Sequence, residues 1–133
     1  VKEIMDEIFT SKTIQSYANL VNFLKYNKEL LNKYFDKIKK DNIKLNIILS
    51  YNEEALNYLN GINKSLENKI NYAFINEIEF PFKYDVFITE KMVWIISLID
   101  GEIVAIKIES KHYVDSQKAI FNLAWLGATN FSI

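Results

Sequence analysis

The chain lacks cysteine and arginine altogether, and in 133 residues it has one histidine, one proline and three glycines. Each shortage excludes something. Without Cys there is no disulfide, no thiolate nucleophile and no thiolate metal site, and the absence fits a cytoplasmic protein. Without Arg there is no planar five-donor fork for bidentate contacts to guanine, phosphate or carboxylate. All the basic residues are Lys, and acidic residues outnumber them by one, for a net charge of −1. Such a chain sets up no field that would draw in DNA or an anionic membrane. The abundance of Lys, Asn and Ile points to an AT-rich genome as the cause, and the physical consequence is the same. Gly61, Gly101 and Gly127 are isolated, so no glycine-rich phosphate loop exists. No apolar run approaches the ~20 residues of a membrane-crossing helix, and no secretory signal is present.

Apolar side chains are what is there, at half of all residues, with 14% aromatic. That composition builds a core and is far from a disordered tail. The length predicts a single domain over residues 1–133. Ile4, Met5, Ile8 and Phe9 recur at helical spacing. Thr13 to Leu20 holds a short strand. Val21 to Lys40 is the clearest helix, with Phe23, Leu24, Leu30, Leu31, Tyr34, Phe35 and Ile38 on one side, and Asp41-Asn42 ends it. Leu45 to Leu49 predicts a buried central strand. Asn52 to Leu66 predicts a helix weakened by Gly61, and Ile70 to Ile75 a further strand. The region from Lys83 to Trp125 predicts antiparallel strands turned at Glu90-Lys91 and Asp100-Gly101, then a helix ending in Phe121 and Trp125, both expected buried. The fold class expected is α/β, a mixed sheet with helices on both faces.

Chemistry-bearing residues are sparse. His112 follows Ser110, which predicts a capped helix start rather than a ligand. Glu53 and Glu54 open a helix, where carboxylates favour the positive dipole end. Glu77 and Glu79 have too few oxygen partners nearby for Ca²⁺ or Mg²⁺. No metal site, no catalytic residue and no cofactor is therefore expected. In open α/β sheets, ligands bind at the carboxyl ends of parallel strands. Tyr17 and Asn19 after the first strand, and Ser50, Tyr51 and Asn52 after the second, stand at such positions. Tyr17, Asn19, Ser50 and Asn52 are the candidate ligand-binding residues, although Asn and Ser there more often cap the next helix.

Several segments together resemble a known family. They are Phe82 with Asp85 to Ile88, Lys91 to Ser97, Ile106 to Ser110, the closing Ile120-Phe121 and Trp125, and the helix-to-strand step from Phe35 to Leu49. Their order and spacing resemble the C-terminal domain of TrmB-like transcriptional regulators, a catalytically degenerate phospholipase D-like fold. Active phospholipase D-like enzymes carry an H-x-K-x4-D motif. The matching positions here are Lys83, Asp85 and Glu90, so the resemblance implies a dead catalytic site: a protonated Lys cannot replace a neutral imidazole nucleophile. The resemblance also implies a winged-helix DNA-binding domain ahead of Val1, outside this chain, and pairing of two copies through a linking helix.

The function expected is therefore a non-enzymatic, effector-sensing and dimerisation domain of a cytoplasmic regulator. Its partners would be a second copy, a small-molecule effector, and DNA only through the absent N-terminal domain, with no membrane. The apolar stripe of Val1 to Phe9 must be buried on its own domain or on a second copy, and a homodimer in which this helix takes part is expected. The rival readings are a divergent phosphodiesterase and a protein-interaction module without a ligand.

Overall fold

A computed structural model describes residues 2–62, 66, 69–99 and 102–130. The elements run α1 (Lys2–Ile8), β1 (Thr13–Ala18), α2 (Leu20–Lys40), β2 (Lys44–Ser50), α3 (Glu53–Ile62), β3 (Ile70–Ile75), β4 (Asp85–Ile88), β5 (Val93–Ser97), β6 (Val104–Ile108) and α4 (Lys111–Asn130). The six strands form one sheet in the order β3-β2-β1-β4-β5-β6. The β3-β2-β1 half is parallel, and β4, β5 and β6 join antiparallel. The α/β class and the mixed sheet are as the sequence predicts.

The connections explain this division. Helices α2 and α3 are crossovers, which parallel neighbours require, whereas β4, β5 and β6 follow one another through short turns. The Glu90-Lys91 turn is closed by the Thr89 N–H donating to the Met92 carbonyl at 3.0 Å. The Asp100-Gly101 turn lies outside the described residues, but the strands it would join pair from Ser97 opposite Val104 to Val93 opposite Ile108. Leu45 to Leu49 falls inside β2, flanked by β1 and β3, and Ile47 and Ile48 are buried.

Side chains alternate across the sheet. One face presents Ile14, Leu45, Ile47, Leu49, Phe87, Trp94 and Ile96, which cluster with residues of α1, α2 and α3. The other presents Ile48, Val86, Ile88 and Val93, which cluster with Val114, Phe121 and Ala128 of α4. Helices thus cover both faces, three on one and α4 alone on the other.

Three expectations need correction. Val21 to Lys40 is not one uninterrupted helix. Asn27 is extended (φ −165°, ψ 92°), and its side chain accepts the Leu30 N–H at 3.0 Å. Asn offers the backbone a local partner and so caps a second helical segment here. The helix expected from Asn52 to Leu66 begins with Asn52 as its cap and is described only to Ile62; Leu66 is buried but not helical. Residues 63–65 lie outside the described residues. The third concerns the aromatic pair of α4. Phe121 is 1% exposed, but Trp125 is only half-buried, stacked on Phe121 with ring centres 5.8 Å apart.

The stop at Asp41-Asn42 is as read. The Asp41 N–H donates to the Lys37 carbonyl, and Asn42 takes a positive φ of 56°. Helix α1 uses its apolar stripe at home: Met5, Ile8 and Phe9 are buried in the domain's own core. Phe9 stacks on Tyr34 at 4.9 Å, and the Tyr34 hydroxyl donates to Asp6 at 2.8 Å. Burial raises the Tyr34 phenol above its ordinary pKa, and this hydrogen bond raises it further. A seven-residue helix is too short to persist alone, and this clamp on α2 supplies what it needs. Ile4 is partly buried against the same cluster, so among the described residues the apolar side of α1 packs on its own domain.

Phe121→Ala is expected to destabilise the fold by about 3–5 kcal/mol, as for a fully buried aromatic ring. Trp125→Ala should cost clearly less, because part of its ring already meets water. Chemical denaturation of the two variants checks the ranking.

Candidate ligand site at the carboxyl ends of the parallel strands

Each of the three parallel strands ends in the same way, with an Asn just beyond it or one residue further on. Asn19 follows β1, Asn52 lies beyond β2 and Asn76 follows β3. Each Asn uses its carboxamide oxygen to accept backbone N–H groups of the next segment. Asn19 accepts from Val21 at 3.3 Å and Asn52 from Ala55 at 2.8 Å. Asn76 accepts from Ile78 at 2.8 Å and Glu79 at 3.1 Å. The capping role set beside the ligand role in the sequence is therefore the one these oxygens perform.

The remaining polar atoms at the rim are arranged as follows. The Asn19 amide donates to Glu77 Oε1 at 2.8 Å, joining the ends of β1 and β3 across β2. The Asn52 amide makes only a long contact to the Ser50 carbonyl at 3.5 Å. The Ser50 hydroxyl is fully buried and has no hydrogen-bond partner among the described residues. Tyr17 points to the α4 face, where its hydroxyl donates to Gln117 at 3.4 Å and its ring lies 5.3 Å from that of Phe82. Burial raises the Tyr17 phenol pKa. The four candidate residues thus share one end of the sheet without converging on one cavity. Asn19 and Asn52 are at the rim, while Ser50, fully buried, and Tyr17 lie on the α4 side of their strands.

Sequence reading missed Asp85 as a rim residue. It opens β4, which runs antiparallel to β1, so its side chain returns to the carboxyl end of β1. Asp85 is 5% exposed, and its Oδ1 accepts the Asn19 backbone N–H at 3.0 Å. It also lines an internal cavity of about 40 Å³ among Ala18, Leu20, Phe23, Leu31, Tyr34, Phe35 and Phe87. A buried carboxylate with one N–H partner among the described residues is costly. Desolvation pushes the Asp85 pKa up to about 7, against the lowering effect of the Asn19 bond. The only sequence signal was an acidic residue abutting Val86-Phe87-Ile88, and nothing local distinguishes that from a strand beginning at the surface.

The positions matched to the phospholipase D motif are separated. Lys83 is exposed ahead of β4, and Glu90 is exposed beyond its far end. The four strand residues between span about 13 Å. Glu90 lines a different cleft, with Glu7, Lys12, Lys91 and Trp94. His112 is exposed at the start of α4, behind Ser110, whose hydroxyl accepts the Tyr113 N–H at 3.2 Å. Among the described residues no three of His, Cys, Asp and Glu come close enough to hold a metal ion, and no helix is long and apolar enough to cross a membrane.

No protein-family model and no curated protein matches the chain. A solved structure does. The fold is similar to that of TrmBL2, an archaeal chromatin protein whose structure is described as showing a novel mode of DNA binding. The similarity has a TM-score of 0.63 at 17% identity, and it covers 95% of this chain and 48% of TrmBL2. The chain therefore spans about half the length of that protein, and at this identity the likeness is one of fold.

Asp85 makes stability depend on pH with a definite sign. Its folded-state pKa of about 7 lies above the ordinary 3.8, so the folded state holds a proton that the unfolded state has lost. This group's contribution is then most favourable at or below about pH 4, declines as pH rises toward 7 and is flat above. Asp85→Asn keeps an acceptor for the Asn19 N–H and removes the charge. The variant is expected to lose that decline and to be the more stable protein at pH 8, seen as melting temperature against pH.

Proposed function

We propose that this chain is the non-enzymatic effector-sensing and dimerisation domain of a cytoplasmic TrmB-like transcriptional regulator, and that it reaches DNA only through another part of the protein. The observation that carries the reading is the likeness to TrmBL2, which takes in nearly the whole of this chain but only half of that one. The lack of Arg and the net charge of −1 support a division of labour. A domain without bidentate donors or positive field is ill suited to hold a phosphate backbone itself. The scattering of Lys83, Asp85 and Glu90 supports a non-catalytic role, because proton transfer needs its partners within hydrogen-bond reach of one another or of a shared substrate.

Sensing would work by population shift. An effector that prefers one arrangement of two copies moves the attached DNA readers toward it, by no more than its difference in affinity for the two arrangements. Its contact would lie at the carboxyl rim, where Asn19 and Glu77 are paired and the Ser50 hydroxyl is buried without a partner among the described residues. A degenerate phospholipase D-like ancestry belongs to the same reading.

Two measurements test it. With bis(p-nitrophenyl) phosphate as probe, the chain is expected to release no nitrophenolate above a protein-free blank; turnover lost in Lys83→Ala or Glu90→Gln would make it an enzyme. With a labelled 30-base-pair duplex in about 150 mM salt, where weak phosphate contacts are screened, the chain alone is expected to show no binding at ~10 µM. Retention of the duplex would place DNA binding on this domain.

A further inference from the structure

Helix α4 carries apolar side chains on the side turned away from its own sheet. Val114, Phe121 and Ala128 face inward and are buried. At 100° per residue, Ala119, Ile120, Leu123, Leu126 and Gly127 fall on the opposite side. Ile120, Leu123 and Leu126 are 53%, 72% and 62% exposed. No charged residue occurs after Lys118. After Lys118 the helix is apolar on its outer as well as its inner side, and among the described residues only the inner side is covered.

Gly127 is a second and independent observation. It sits inside a helix, where Gly is less favourable than Ala. A Cβ built on it would meet nothing within 4 Å, so packing within the described residues does not call for a glycine there. Glycine on the outer face of a helix allows another backbone to approach closely, and a small residue spaced along the same stripe adds to this. Ala119 is that residue, two turns earlier.

We infer that the outer stripe of α4 is the contact between two copies of this chain, with the two α4 helices crossing antiparallel at Leu123. This rests on the dimeric reading above and gives it a surface. The stripe is self-complementary about that point. A two-fold axis at Leu123 sets Ala119 opposite the partner's Gly127, small against small, and Ile120 opposite the partner's Leu126, large against large. Such an isologous arrangement is what a symmetric dimer needs. A charged partner protein would lose solvation against this uncharged stretch without gaining an ion pair, whereas a second copy presents an equally uncharged one. From Ala119 to Gly127 the stripe is about 12 Å long, which is small for an interface, so affinity in the micromolar range is expected.

Sedimentation velocity on the 133-residue chain from about 1 to 200 µM, bracketing a micromolar Kd, tests this with two variants. The parent is expected to pass from monomer to dimer across that range. Leu123→Glu is expected to stay monomeric with an unchanged circular dichroism spectrum. Gly127→Ala is expected to weaken dimerisation by about tenfold or more through the added methyl group at the crossing. At concentrations where the chain is monomeric it should also melt higher than the parent, because Ala is the better helix former. A merely structural role for Gly127 would not produce that opposition. A Leu123→Glu variant that dimerises like the parent, or a Gly127→Ala variant that dimerises as well or better, would overturn the interface and leave the dimeric reading standing elsewhere on the surface. A parent that is monomeric throughout would overturn both, and the phosphodiester and duplex measurements would still judge the rest of the proposed function.

Discussion

The fold depends on one constraint, that β1 must serve two different ladders at once. On one edge it runs parallel with β2 for six residue pairs, and on the other antiparallel with β4 for three. The chain therefore reaches β1's second edge only after completing two crossovers, and that edge is the seam between the parallel and antiparallel halves. Both faces of β1 are covered: Ile14, Ser16 and Ala18 are buried on the side of α1 and α2, while Gln15 and Tyr17 bond to Asn122 and Gln117 of α4. A strand so enclosed must satisfy its polar groups internally or bear the cost. The Ser16 hydroxyl and Gln15 Oε1 find no partner among the described residues, so the seam carries some of that cost.

The same constraint accounts for Asp85. It is the first residue of the strand that closes the seam, and it reaches the Asn19 N–H just where β1 gives way to α2. That bond ties the beginning of the antiparallel half to the cap of the first segment of α2. Oxygen at this point is useful because α2's first turn needs acceptors, and a carboxyl is the compact group that the strand offers. Its penalty is desolvation, visible in a pKa raised to about 7. The site is thus a compromise between a capping need and a low-dielectric wall.

Elements with strong periodicity were legible in the sequence, and those set by three-dimensional neighbours were not. The apolar run of β2, the β3 boundaries and the Asn42 stop could all be read because the signal is local: continuous Ile and Leu, or a residue tolerant of positive φ. The break in α2 was hidden because the apolar stripe continues across Asn27 on both sides, and only the side-chain bond to Leu30 reveals a second cap. Topology alone put the four candidate residues at the carboxyl ends of the parallel strands, which is where they lie. Whether they converge depends on which face each strand turns outward, and that is fixed by pairing partners distant in sequence. Asp85 was missed for the same reason.

Gly127 illustrates a more general way of arguing from local rules to function. A sequence that specifies one fold is expected to make local choices that agree with that fold. Glu53 and Glu54 at the start of α3, Ser110 ahead of α4 and Asn52 ahead of α3 all agree. An exposed helix face composed of Ala119, Ile120, Leu123, Leu126 and Gly127 does not: water should favour Lys, Glu or Gln there, and helix propensity should favour Ala over Gly. When several neighbouring residues break the local rule in the same direction, the simplest physical reason is that the helix is not meant to meet water. The charged half of α4, with Lys111 paired to Asp115 at 2.6 Å, stops where the apolar stripe begins. One helix thus divides into a solvated first half and a second half whose outer surface has the composition of an interior.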